Sequence, residues 1–316
     1  MLNNPPRLVL APMAGVTDLA FRAVCRAFAP IVTVTEMVSS KGLVYRDAKT
    51  ARLTALAEGE HPAGVQIFGS DPACMAQAAA IALEMSGADF VDINMGCPTP
   101  KIVKNGDGCQ LMRDPELAGR IIEAVRSAVN VPVTVKFRRG WDKGSLNAVE
   151  FARMCEQAGA SAVCVHGRTK AQMYGGAADW DCIAAVKAAV GIPVVANGDI
   201  CSPETALRAL KHTGADMLMA GRAAFGNPFL FGELDAAING RPIPAPPAPS
   251  QRAHWAGVQF GLALENRGER PAVLEARRHF CWYLHGLPRA GWLKAEIIKM
   301  RTREDAYEAL KKMAEL

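Results

Sequence analysis

The chain has 316 residues, half of them hydrophobic and 21% charged, with a formal net charge of +5. That composition argues against intrinsic disorder and allows one large domain plus a small one. No apolar run approaches the roughly 18–20 residues that cross a bilayer, and the opening MLNNPPRLVLAPMAG has no basic leader before an apolar stretch, so membrane insertion and secretion are disfavoured.

From the N-terminus, short apolar, β-branched runs alternate with Ala/Leu-rich stretches of helical spacing. Eight runs read as strands: LVLAP near 8–12, IVTVTEM near 31–37, GVQIFG near 64–69, FVDINMG near 90–96, VPVTVKFR near 131–138, SAVCVHGR near 161–168, IPVVANGD near 192–199 and DMLMAGR near 216–222. Several are apolar on both faces, as parallel strands covered by helices must be. DLAFRAVCRAF reads as a short helix after the first run. The clearest helices are DPACMAQAAAIALEMSG, DPELAGRIIEAVRSAV and SPETALRALKHTG. Each opens on an N-cap residue followed by Pro at the first helical position, and several end in a glycine suited to the left-handed C-terminal position. Between Lys41 and Pro62 the pattern supports only a helix. Eight strand–helix units in series predict a (β/α)8 TIM barrel over residues 1–240. An open doubly wound sheet is the runner-up, but APMAGVTD after the first strand is not the glycine-rich turn that fold requires.

The proline-rich stretch RPIPAPPAPS (241–250) continues neither helix nor sheet and reads as a linker. Residues 251–316 read as a helical domain. They hold 12 Lys and Arg against 8 Asp and Glu, whereas the first 250 residues are almost balanced. A basic tail suggests an acidic partner such as nucleic acid. The nine scattered cysteines form no CxxC pair and no zinc-spaced cluster, which fits a reducing, cytoplasmic setting and predicts no metal.

The strands end in residues that a core does not need. Met13 and Ala14 follow the first, Glu36 the second, and Gln66 lies in the third. Asn94 and Cys97 close the fourth, Lys136 and Arg138 the fifth, and His166 and Arg168 the sixth. Asn197, Gly198 and Asp199 close the seventh, and Gly221 and Arg222 the eighth. Barrel active sites form at this face, and the loops after strands seven and eight are its usual phosphate site. There, glycines admit backbone N–H groups to phosphate oxygens, and Arg222 adds a bidentate contact. Lys136, on the strand beside His166, can stabilise a cofactor ring that gains negative charge, a flavin being one candidate. The competing readings are a Lys136 paired with Glu36 or Asp92, and a His166 that is a hydrogen-bonded structural imidazole. Cys97 is a nucleophile, a proton donor or a packed bystander.

At these residues the sequence resembles the tRNA-dihydrouridine synthases, in their bacterial B-type branch. The motifs are APMAGVTDLAFR (11–22), QIFGSDP (66–72), DINMGCPTPKIVKNGDGCQLM (92–112), VKFRRGWD (135–142), HGRTKAQMYGGAADW (166–180), VVANGDI (194–200), GRAAFGNPF (221–229) and HFCWYLHGLP (279–288). The resemblance covers nearly the whole chain, and departs from the family most at Arg289 and Trp292. It implies FMN at the barrel mouth, NADPH as electron donor and a tRNA uridine as substrate. By matched position it assigns Pro12, Met13, Ala14, Gln66, Lys136, His166, Asn197, Gly198, Asp199, Gly221 and Arg222 to FMN. Asn94, Arg138, Arg168 and Gln172 fall near the uridine, and Cys97 protonates C5 while the reduced flavin delivers hydride to C6. An extruded base is what such chemistry requires. Residues 277–303 carry seven Arg or Lys against one Glu, among Phe280, Trp282, Tyr283 and Trp292. They serve as a tRNA platform, with Arg277 and Arg278 on phosphates, or as the small domain's core and solvated face. No obligate protein partner is evident. Two other functions compete: a flavin oxidoreductase acting on a free pyrimidine or other small molecule, and an RNA-binding protein that retains an old barrel.

Overall fold

A computed structural model describes residues 6–316, so the part of the barrel expectation that falls on residues 1–5 lies outside the described residues. Eight barrel strands follow in order: β1 (Leu8–Leu10), β2 (Thr33–Val34), β3 (Ala63–Phe68), β4 (Phe90–Met95), β5 (Val133–Arg138), β6 (Ala162–His166), β7 (Val194–Asn197) and β8 (Met217–Ala220). Each pairs in parallel with the next, β8 returns to β1, and a parallel bridge between Val9 and Val32 joins β1 to the β2 segment. The expected barrel is therefore the observed fold, and the open sheet is excluded.

Helices α1 (Leu19–Arg26), α2 (Pro72–Ser86), α3 (Pro115–Ala128), α4 (Ala148–Gln157), α5 (Trp180–Ala189), α6 (Pro203–Thr213) and α7 (Leu230–Ile238) cover the barrel. Asp71, Asp114 and Ser202 cap α2, α3 and α6, each followed by Pro. Gly87 and Gly214 end α2 and α6 in the left-handed conformation, whereas α3 and α5 stop on extended valines, Val129 and Val190. Capping and proline together set these starts, since both suit the first turn and neither suits the interior.

Two expectations need correction. The run near 31–37 is not one strand: Val32 bridges β1, Thr33–Val34 pairs with β3, and a second piece, Val38–Ser39, lies beside the upper end of β3. The Thr35 hydroxyl accepts the Gln66 N–H at 3.0 Å and donates to the Glu36 carbonyl at 2.9 Å, so a side chain interrupts the ladder. Residues 41–62 hold three short helical pieces, Ser40–Val44, Ala48–Ala51 and Arg52–Thr54, rather than one helix, because Asp47 caps a new turn.

Period-two alternation sorts the strand residues. Val65, Ile67, Val91, Ile93, Val133, Val135, Val163, Val165, Val194 and Ala196 face the helices and form the main core. The other parity points inward. It includes a small apolar plug, with Val9, Val34, Cys164, Val195 and Met219, and a run of polar side chains on β3 to β7. Buried apolar side chains stabilise by about 1.5–3 kcal/mol each, so inward polar residues forgo a gain that the outward ones take.

After α7 the chain runs without regular structure from 241 to 248 and enters α8 (Pro249–Arg267), then α9 (Glu269–Tyr283), α10 (Gly291–Ile297) and α11 (Arg303–Ala314). A second core of Phe260, Phe280, Tyr283, Leu284, Leu293, Ile297 and Met313 also takes in Ala20 of α1. Phe28 lies against Phe229 and Trp255, and Phe21 against His279, so the helical segment lies on α1 rather than apart from it. Among the described residues, no helix is long and apolar enough to cross a membrane.

Candidate active site at the barrel mouth

The C-terminal ends of the strands open into a cavity of about 890 Å³. The size falls within the usual range for ligand and cofactor pockets. Most of the site residues expected from the sequence line it: Pro12, Met13, Ala14, Asn94, Cys97, Lys136, Arg138, His166, Asn197, Gly198, Asp199, Gly221 and Arg222. Gln66, Arg168 and Gln172 do not. Gln66 is completely buried below, its amide engaged by Asp92 and Asn94. Arg168, 2% exposed, binds Asp199 through both carboxylate oxygens at 2.8 and 2.9 Å. Gln172 accepts from the Thr169 N–H and from Arg139.

On one side stands the loop after β4. Cys97 is half-buried, and its thiol donates to the Thr99 hydroxyl at 3.3 Å. Its N–H and that of Gly96 donate to Asn94 Oδ1. The Gly96 carbonyl accepts from Arg138 Nε at 2.9 Å and from the Cys109 thiol at 3.0 Å. Arg138 also reaches the carbonyls of Thr169 and Met173, so it ties the β4 loop to the β6 loop. Burial pushes the Cys109 thiol up to about 12, which leaves Cys109 an inert structural donor beside Cys97.

On the floor, Lys136 Nζ donates to Asn197 Oδ1 at 3.0 Å, and Asn197 Nδ2 donates to the Met219 carbonyl. Among the described residues Lys136 makes no ion pair: Glu36 instead accepts the Gly15 N–H, and Asp92 accepts from Gln66 and Thr134. An unpaired cation therefore faces the cavity. Burial, with Lys136, Arg138, Arg168 and Arg222 around it, holds the His166 imidazole far below its ordinary range, so His166 is neutral there. No hydrogen bond anchors its ring among the described residues.

Opposite lie the turns after β7 and β8. Gly198 has φ +118°, and a Cβ there would meet that of Ala178 at 2.6 Å and the His166 ring at 3.1 Å. Only glycine fits. Asp199 follows at φ +61°, held by Arg168 and by the Ala178 N–H at 2.7 Å. Gly221 packs on Ala11 and Met13 and precedes a short helical turn that starts at Arg222. Arg222 is 46% exposed and its guanidinium lies 4.7 Å from the Tyr174 ring.

Sequence reasoning missed Tyr174, Phe225 and Cys201, all of which line the cavity. An aromatic between Met173 and two glycines was a usable signal for Tyr174. Nothing local marks Phe225, which stacks on Trp282 of α9. In the tail, the two arginines expected on phosphates are engaged internally. Arg277 donates to the Met300 carbonyl at 2.8 Å, and Arg278 donates to the Gly15 carbonyl beside the cavity. Tyr283 and Phe280 are core, and Trp292 is half exposed. Arg270, Arg277 and Arg301 line a groove of about 540 Å³ on the helical segment. Among the described residues, no cluster of acidic, cysteine and histidine side chains is placed to hold a metal.

A family model described as dihydrouridine synthase matches residues 9–316. The tRNA-dihydrouridine synthase B of Pseudomonas aeruginosa is 45% identical over 94% of this chain and 89% of its own length. The tRNA-dihydrouridine synthase B of Vibrio cholerae is 42% identical over 96% and 94%, and a probable tRNA-dihydrouridine synthase of Rhodobacter capsulatus is 43% identical over 94% and 91%. Among solved structures, the histamine dehydrogenase from Rhizobium sp. 4-9 superposes with a TM-score of 0.57 at 13% identity, over 81% of this chain. The chain spans about half the length of that enzyme, at 49%, and the likeness concerns the barrel fold alone.

Proposed function

The chain belongs to the dihydrouridine synthase family, and on that premise we propose that it reduces the C5=C6 bond of specific tRNA uridines to 5,6-dihydrouridine, with FMN at the barrel mouth and NADPH as electron donor. The observation that carries this reading is the convergence of the Cys97 loop, the unpaired Lys136 and the two glycine turns on one cavity. The cavity fits the cofactor. The turn after β7 brings the backbone where any residue larger than Gly198 would collide, Gly221 lets the next turn approach without crowding, and Arg222 stands exposed beside them for a phosphate. FMN, when bound, supplies the hydride for uracil C6.

The chain's own residues do the rest. Lys136, oriented by Asn197, sets a positive charge at the floor, and the neutral His166 adds a hydrogen-bonding edge without a second charge. Pro12, Met13, Ala14, Gly198, Asp199 and Gly221 shape the walls. Cys97 gives its thiol proton to C5, held toward the cavity by Thr99, and regains it from solvent. Asn94 and Arg138 face the uridine, while Gln66, Arg168 and Gln172 act from behind. In this reading residues 1–240 are the catalytic domain, 241–250 the linker and 251–316 the tRNA-binding domain, with the Arg270–Arg301 groove as a phosphate contact. A tRNA substrate places the protein in the cytoplasm.

The test is an anaerobic absorbance spectrum. Purified protein should show an oxidised flavin that bleaches with NADPH and recovers its colour when unmodified tRNA is added. A flavin that bleaches but ignores tRNA would favour the small-molecule oxidoreductase. A protein that takes up no flavin would remove the redox reading.

A further inference from the structure

We propose that Asp92 is a positioning residue for Cys97, acting through Gln66 and Asn94 to fix the backbone of the loop that carries the thiol. The inference rests on the reading of Cys97 as proton donor. Four polar side chains form one chain inside the barrel. Thr134 Oγ1 donates to Asp92 Oδ1 at 2.5 Å, and Gln66 Nε2 donates to Asp92 Oδ2 at 2.6 Å. Gln66 Oε1 accepts from Asn94 Nδ2 at 2.8 Å. Asn94 Oδ1 accepts the N–H groups of Gly96 and Cys97 at 3.1 and 2.9 Å. Register explains the alignment: Gln66 sits opposite Asp92 on neighbouring strands, and Asp92 opposite Thr134.

The direction of the chain needs a cause. A side-chain amide has nearly the same shape when turned over, but turning it exchanges donor for acceptor. Taken alone, Gln66 and Asn94 could point either way. A carboxylate accepts and does not donate, and the loop N–H groups donate and do not accept, so Asp92 at one end and the loop at the other impose the same sense. Gln66 must present its nitrogen to Asp92, then its oxygen to Asn94, and Asn94 must present its oxygen to the loop. Gln66, Asp92 and Asn94 are 0, 4 and 8% exposed, so water cannot substitute for a misdirected partner. If the sense were reversed, the Asn94 nitrogen would face two N–H donors, and each buried donor left unpaired costs about 1–3 kcal/mol. The other face of the loop is held by uncharged contacts and by Arg138, so this chain is the one that ends on a titrating acid.

Burial raises the Asp92 carboxyl to about 6, against the lowering effect of its bonds from Gln66 and Thr134 and of the Lys136 charge. Lys136 on β5 and Cys164 on β6 are the other ionisable groups that face it. Protonation removes the charge that strengthens the bond from Gln66 and, with the proton on Oδ2, sets a donor against the Gln66 amide, so the buried end of the chain slackens. The loop should therefore loosen as pH falls through about 6.

The experiment measures the single-turnover rate of tRNA reduction by flavin-loaded protein from pH 5 to 8, and in parallel the iodoacetamide alkylation rate of Cys97 by mass spectrometry. Wild type should show an acid limb near pH 6. Asp92→Asn should lose that limb and run roughly tenfold or more slower throughout, with the KM for tRNA within about twofold and Cys97 alkylation altered. Thr134→Val removes a bond that holds the Asp92 pKa down while leaving the chain's sense, so it should move the limb upward and keep the pH 8 plateau. A flat wild-type profile, or an Asp92→Asn variant that keeps both the rate and the alkylation of wild type, overturns the proposal. If Asp92→Asn does not fold, the wild-type and Thr134→Val profiles decide it. Should wild type reduce no tRNA at all, the functional reading fails, and the alkylation profile still tests the positioning on its own.

Discussion

Trp282 of α9 stacks on Phe225 of the loop after β8, with ring centroids 4.4 Å apart and planes 23° from parallel. Phe225 lines the cavity, so an aromatic from the helical segment backs the wall of the barrel mouth. The next residue, Gly226, lies so close that a Cβ would come within 2.2 Å of the Trp282 backbone.

Truncating that backing should loosen the β8 turn. Trp282→Ala removes a stacked pair worth about 0.5–1.5 kcal/mol beyond its area. Flavin affinity should fall roughly two- to twelvefold, read by fluorescence titration of the apoprotein. An unchanged affinity would mean that the stack supports only the helical segment.

Gly198→Ala should have a sharper effect at the same site. The added methyl collides with Ala178 and crowds His166, on a backbone conformation that L-residues rarely adopt. The barrel strands should keep their circular dichroism, while flavin retention on purification falls at least about tenfold, by the cost of one strained position. Full retention of the cofactor would show that the turn can open without loss.

Arg22 and Glu60 form a buried pair 2.6 Å apart, each about 1% exposed. Arg22 also donates to the carbonyls of Thr17 and Ala55, and Glu60 accepts from Thr33 and from the Ala57 N–H. Arg22→Ala leaves a carboxylate without its partner and should cost about 3–5 kcal/mol in urea unfolding. A loss under about 1 kcal/mol would mean that water reaches Glu60.

Glu275 gives a pH prediction. Burial raises its carboxyl to about 7, with Asp18 and Glu36 raising it further and Arg267 opposing them. In the unfolded chain it ionises near its ordinary value of about 4.3. Between those limits the folded state holds the extra proton, so stability falls as pH rises, and the penalty is complete above pH 7. Glu275→Gln should therefore melt a few degrees higher than wild type at pH 8, roughly 2–4 °C, with only about a third of the difference left at pH 5. A difference that is the same at both values would assign the effect to packing rather than charge.

Much of the barrel was legible because its two parities differ. Asn94, Lys136, His166 and Asn197 stood out as polar residues that ended apolar strands, and each lines the cavity. Gly198 and Gly221 were legible as turns. The failures share a cause, which is that side-chain direction past a strand end depends on loops. Gly167 bonds both Asn197 and Asp179 through its backbone, so Arg168 turns toward Asp199 instead of the cavity. Gln172 folds back onto Thr169. The Thr35 hydroxyl that splits the second strand, and the stack between residues 225 and 282, arise from partners that no local pattern names.

The Gly15 peptide is clasped from both sides. Its N–H goes to Glu36 of the barrel and its carbonyl to Arg278 of α9. With Ala20 of α1 packed into the second core and Phe28 lying against Trp255, the helical segment acts as a keystone, not an appendage. A chain ended at residue 240 would retain its eight strands, yet it would bare α1 to water and free one end of the strap beside Met13 and Ala14. Such a half would be a sticky protein with a slack seat at the barrel mouth, so in this chain the two parts are one folding unit rather than beads on a string.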